Sequence, residues 1–100
     1  MAQAMTVLNA VTLGHGAGWD RSQPLEGQEL WPEHAEFMDA MVDEGLIVLG
    51  GPIGEGEHVL LIFDAEPEQI RARLAPDPWH QRELLYIEKI EPWQIRLDSR

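Results

Sequence analysis

The chain has 100 residues, with 7 Lys and Arg against 18 Asp and Glu, so its formal net charge is −11. That length suits one domain, residues 1–100, with a thin core, and the charge repels nucleic-acid phosphates and anionic membrane surfaces, so neither is expected as a partner. There is no cysteine, which removes disulfide frameworks, thiolate nucleophiles and cysteine-based metal sites.

The N-terminal Met-Ala-Gln-Ala-Met-Thr shows no basic segment followed by an apolar one. The longest apolar run, Val59 to Phe63, is far too short to cross a bilayer. A cytoplasmic protein is expected. In residues 5–13, Met5, Val7, Val11 and Leu13 alternate with Thr6, Leu8, Ala10 and Thr12. This predicts a first strand with both faces partly apolar. Residues 14–30 follow as a long Gly-, Pro- and polar-rich stretch holding His15, Trp19, Asp20 and Arg21. Long loops of this kind are binding loops or surface connections, and the glycines of Gly14-His15-Gly16-Ala17-Gly18 suggest mobility. That run lacks the Gly-Lys-Ser/Thr ending of a phosphate loop.

Pro32 opens a helix. Trp31, Ala35, Met38 and Val42 form one apolar row, with His34, Phe37 and Met41 beside it, and Gly45 ends the helix. Leu46 to Leu49 reads as a short strand, and residues 50–56, rich in glycine and proline, as a turn. His58 to Phe63 is a third strand, apolar on both faces. Pro67 begins a second helix, with Ile70 and Leu74 inward and Pro76 at its end. Asp77-Pro78 then matches an N-cap and first-turn proline of a single helical turn. Residues 84–97 form the last strand, interrupted or at an edge where Pro92 cannot donate a hydrogen bond.

The predicted order is β-α-β-β-α-β, an α+β arrangement of the ferredoxin-like kind with an antiparallel sheet. Its helices cover one sheet face. The other is left open and apolar, and is best buried against a second copy, so a homodimer is expected.

Several local patterns, taken in order, resemble the YCII-related (YciI-like) family across roughly residues 5–95. Pro32-Glu33-His34 is similar to its helix-one motif. Glu44-Gly45 with Leu49-Gly50-Gly51-Pro52 is similar to the turn before strand three. Ala75-Pro76-Asp77-Pro78-Trp79 is similar to an Ala-Asp-Pro-aromatic motif with Pro76 inserted, and Ile90-Glu91-Pro92-Trp93 to the closing strand. The resemblance implies a dimeric α/β barrel of two face-to-face sheets and a catalytic His–Asp pair, here His34 and Asp77. It also implies chemistry like that of a member that eliminates HCl from a chlorinated hydroquinone. Trp31 stands where family members often carry an arginine, so an anion-binding group would fall to Arg21 or Arg82.

Read from the residues alone, His34 lies in the first turn of its helix at the border of the apolar stripe. There the helix dipole disfavours imidazolium and a nearby carboxylate favours it, a balance suited to proton exchange. The alternative is a packed histidine with one hydrogen bond. Asp77 is equally well explained as a cap. His15, Trp19, Arg21, Trp31 and Trp79 are candidate ligand-binding residues, with core or dimer packing as the alternative for the tryptophans. His58 is expected to be structural or solvent-facing, and His80 exposed. No metal site is expected, since neither His-x-His nor His-Glu-x-x-His spacing occurs, and no cofactor is expected. Taken with the resemblance, the His–Asp pair implies a lyase or isomerase acting on a small aromatic or cyclic substrate. The alternatives are a non-catalytic small-molecule-binding dimer and a monooxygenase of the same barrel superfamily.

Overall fold

The computed structural model describes residues 6–100; Met5, expected in the first strand, lies outside them. The described residues form β1 (Thr6–His15), a 3-10 turn (Leu25–Gly27), α1 (Trp31–Asp43), β2 (Ile47–Ile53), β3 (His58–Phe63), α2 (Pro67–Leu74), α3 (Pro78–Gln81) and β4 (Leu85–Ile95). The fold is a small α+β arrangement whose sheet has the order β2-β3-β1-β4, with every pairing antiparallel. No helix among the described residues is long and apolar enough to cross a membrane.

Cross-strand register assigns the two faces. Val11 pairs with Leu61 and with Ile90, and Leu13 with Val59 and with Ile87. These residues join Met41 of α1, Ile70 and Leu74 of α2 and Trp79 of α3 in one apolar cluster, so all three helices pack on this face. Ile87 and Ile90 are three apart, which breaks strand periodicity. The register shift in β4 leaves Glu88 as an extra residue between them, and such a bulge restores both isoleucines to the core side. A second shift leaves Val48 as the extra residue of β2.

By the same register, the other face carries Leu8, Ala10, Leu60, Ile62, Leu49, Ile53, Tyr86 and Trp93. Leu8 and Ile62 are buried outside the helix-side cluster. Leu49, Ile53, Tyr86 and Trp93 are 44 to 54% exposed.

The expected strand over residues 46–49 is corrected. β2 runs on through Gly50, Gly51 and Pro52 to Ile53. It is an edge strand, and there the missing N–H of Pro52 can face away from the ladder. The turn is confined to residues 54–57. A Cβ at Gly50 would come within 2.6 Å of the Leu61 side chain, so glycine lets the two strands pair while space stays open above them.

α1 ends as Gly45 suggests. Gly45 has φ +81°, its N–H bonds the Val42 carbonyl, and the Leu46 N–H bonds the Met41 carbonyl, the paired bonds of a Schellman motif. The expected apolar row on α1 splits in two. His34 and Met41 are buried, whereas Val42 is 51% exposed and, with Trp31 and Met38, borders a cleft. The expected mobility of the Gly16–Gly18 run is also corrected. The N–H groups of Gly16 and Gly18 bond the carbonyls of Leu84 and Glu83. A Cβ at Gly16 would lie 2.2 Å from the Glu83 carbonyl oxygen. Glycine is needed there for close backbone approach.

Candidate active site

The start of α1 and the cap of α3 bring His34 and Asp77 together across 43 residues of sequence. His34 Nδ1 lies 2.9 and 3.0 Å from the two carboxylate oxygens of Asp77. His34 is the fourth residue of α1, where its N–H makes the first helical bond to the Leu30 carbonyl. Asp77 caps α3: its Oδ1 accepts the Trp79 backbone N–H at 3.1 Å. The cap and the histidine contact coexist on one carboxylate, so the two readings of Asp77 are compatible.

Both groups are buried, His34 to 7% and Asp77 to 2% exposure. The Trp79 indole lies flat on the imidazole, with ring centroids 3.8 Å apart and planes 6° apart. Its ring N–H donates to the Glu29 carbonyl. The imidazole is thus fixed by a carboxylate at one edge and an indole on one face.

A carboxylate offers only acceptors, so the Nδ1–H of His34 is the donor and the lone pair of the neutral ring sits on Nε2. Nε2 makes no hydrogen bond among the described residues. It is not sealed away either, because no buried side-chain nitrogen or oxygen there lacks a partner. His34 lines a cleft of about 250 Å³ whose walls include Trp31, Met38, Asp39, Gly50 and Leu61. Nε2 thus keeps some accessible surface on a residue that borders an apolar cleft, a setting in which an imidazole can take up or deliver a proton.

The candidate ligand-binding residues divide. Trp31 and Trp79 border the His34 cleft. His15, Trp19 and Arg21 line a neighbouring hollow of about 310 Å³. The two share Leu25, Pro52 and Val59. Trp79 has no exposed surface and acts by holding His34, whereas half-buried Trp31 offers surface to a ligand. His15 stacks on Trp19 at 3.8 Å, and Trp19 meets Trp79 edge-on at 5.5 Å. Four rings in contact therefore join the two hollows. Arg82 pairs with Glu29, which leaves Arg21 as the cation beside the ligand space. His58 pairs with Glu88 at 3.2 Å, and His80 is half-buried rather than exposed.

Sequence reasoning missed Gln28 and Asp39. Gln28 is buried, and its amide bonds the carbonyls of Asp20 and Gln23 at 2.7 and 3.0 Å while its oxygen accepts the Asp20 N–H at 2.9 Å. This one side chain ties the long loop into a fixed shape. Its only signal in the sequence is a polar residue next to a helix. Asp39 sits on the polar side of α1 by sequence, yet it lines the His34 cleft. Among the described residues no group of three or more His, Cys, Asp or Glu side chains is placed to hold a metal ion. Comparison of the chain with family models, curated proteins and solved structures yields no match.

Two measurements test this geometry. Long-range imidazole ¹H–¹⁵N spectra should find the neutral His34 proton on Nδ1, and Asp77→Ala should move it to Nε2 while costing about 1–3 kcal/mol of stability through the lost cap and the unpaired buried N–H. An Nε2–H tautomer in the unsubstituted protein would refute the arrangement. The second concerns His15. Burial first, then the charges of Arg21 and His58, hold its imidazole below the ordinary histidine value, with Glu57 opposing them. The unfolded chain therefore takes up this proton before the folded one. The contribution of His15 is complete above the ordinary value of about 6.5 and is lost as pH falls through the lower folded value. Urea midpoints should drop between pH 7.5 and 5, and His15→Gln should reduce that drop. Equal drops in the two proteins would show that His15 carries none of it.

Proposed function

We propose that this chain is a YCII-like domain of the ferredoxin-like βαββαβ type. In this reading it pairs through its open sheet face into a homodimeric α/β barrel and acts as a cofactor-independent lyase or isomerase in the cytoplasm. The observation that carries the reading is His34 itself, with Nδ1–H committed to Asp77 and Nε2 free at an apolar cleft. Asp77 orients the ring and favours the imidazolium formed when Nε2 takes a proton. The substrate is a small aromatic or cyclic compound with an acidic O–H or C–H beside a leaving group or a carbonyl. In the dehydrochlorinase-like version, Nε2 takes the proton, the electron pair left behind forms the new π bond, and chloride leaves. In the isomerase version the imidazolium returns the proton to a different carbon.

A second reading is favoured by one observation. His34, Asp77 and Trp79 satisfy one another as any packed core group would, so the same cleft suits a dimer that binds a metabolite without changing it.

Chlorinated hydroquinones and their unchlorinated parents, followed by chloride release and by product spectra, separate these readings. Turnover that falls by about 100- to 10,000-fold in His34→Ala, the usual worth of a general acid–base group, supports the enzyme. Binding without product supports the second reading, and unchanged turnover in His34→Ala removes His34 from the chemistry. The dimer has its own test. Trp93 is 46% exposed on the open face, so Trp93→Glu should shift sedimentation from twice the chain mass to the chain mass. A monomer before substitution would exclude the barrel.

A further inference from the structure

The hollow beside the His34 cleft differs from it in charge. Among the described residues that line the cleft, the ionisable side chains are His34 and Asp39. The hollow carries Arg21 together with Glu55 and Glu57. Elsewhere Arg73, Arg82, Lys89 and Arg100 each pair with a carboxylate, while Arg71 and Arg96, like Arg21, make no salt bridge among the described residues but lie away from both hollows. Arg21 makes no salt bridge or side-chain hydrogen bond among the described residues, and neither do Glu55 and Glu57, although all three border one space. Arg21 and Glu57 both act on the charge of His15, in opposite directions, so both signs are felt at one wall. A ligand with a lone carboxylate would meet Arg21 but face two glutamates on a chain of net charge −11. A lone ammonium would meet the glutamates but face Arg21. A head group with both charges matches both sides.

We propose that the two adjoining hollows bind one amphoteric aromatic compound of the amino-acid class. Its ring occupies the cleft lined by Trp31, Met38 and Leu61, its carboxylate meets Arg21, and its ammonium meets Glu55 or Glu57. Leu25, Pro52 and Val59, common to both walls, form the apolar waist between ring and head. This inference rests on reading the His34 cleft as the ligand site and specifies what enters it.

Isothermal titration of the full chain at low ionic strength with L-phenylalanine, 3-phenylpropionate and phenethylamine tests the proposal. L-phenylalanine should bind more tightly than either single-charge analogue by about tenfold, the worth of one charge-assisted hydrogen bond. Arg21→Gln should erase its advantage over phenethylamine. Glu55→Gln combined with Glu57→Gln should erase its advantage over 3-phenylpropionate. Equal binding of all three, binding of none, or a ranking untouched by Arg21→Gln overturns the proposal. Turnover assays run beside the titrations on the unsubstituted protein separate it from the acid–base reading. A ranking that holds in a protein with no turnover keeps this inference and removes the enzyme. Turnover of ring compounds with no preference for the double charge keeps the enzyme and removes this inference.

Discussion

A carboxylate as deeply buried as Asp77 must find its hydrogen bonds inside the protein, because water is not there to supply them. Asp77 takes the Trp79 backbone N–H and the His34 ring N–H. Trp79 then lays its indole on the histidine that the carboxylate holds. The result is a closed triangle of three residues from two short elements. Each corner depends on the other two: without Asp77 the ring N–H is orphaned, without His34 the carboxylate is left with fewer donors, and without Trp79 the imidazole loses one wall. Breaking one side of a buried charged contact costs more than the contact is worth, since the partner remains buried. The geometry of the free Nε2 is therefore fixed by the same atoms that stabilise the fold.

The long loop after β1 is built into this arrangement. Gln28 ties its middle to its end, and the close approach of Gly16 and Gly18 to residues 82–84 ties its start to the segment after α3. The Trp79 ring N–H reaches the Glu29 carbonyl just before α1. Trp19 is thereby set edge-on against Trp79 and flat against His15. Aromatic contacts of this kind are worth about 0.5–1.5 kcal/mol each beyond the area they bury, enough to keep a polar loop seated on a small core. The hollow beside the cleft is walled by this loop and by the β2–β3 hairpin, while the His34 cleft takes Leu25 from the loop and most of its other walls from α1, β2 and β3, so the anchoring of the loop shapes the hollow more than the cleft.

Much of this was legible in the sequence, for identifiable reasons. Proline at the start of α2 and α3, the Asp77 cap and Gly45 at the end of α1 are local signals, and local signals survive folding. β3 was plain because an apolar run of its length between turns has few other uses. The extent of β2 was not, because Gly50-Gly51-Pro52 reads as a turn and only edge position makes it a strand. The bulges at Val48 and Glu88 were hidden because they break the period that reveals strands. The glycines of the loop were misjudged because freedom and crowding both select glycine, and only the neighbouring carbonyls of Arg82 and Glu83 distinguish them. Gln28 shows the same limit for side chains, since its value lies in four backbone groups that sequence spacing does not place.

The two sheet faces allow pairing and binding to be separate matters. The His34 cleft draws Leu13, Val59 and Leu61 from the helix side of the sheet. Leu49, Ile53, Tyr86 and Trp93 lie on the opposite side. A partner seated on that apolar face would bury it without standing in the mouth of the cleft, and would stiffen β1 and β3 from behind. Strand alternation enforces the division, because each residue along β1 and β3 points to one side only. A one-residue slip of β3 would turn Leu61 to the open face and bring Leu60 and Ile62 to the helix side, replacing the side chains that floor the cleft and pack the core. The pairing of Val11 with Leu61 thus maintains the core, the cleft and the exposed face at once.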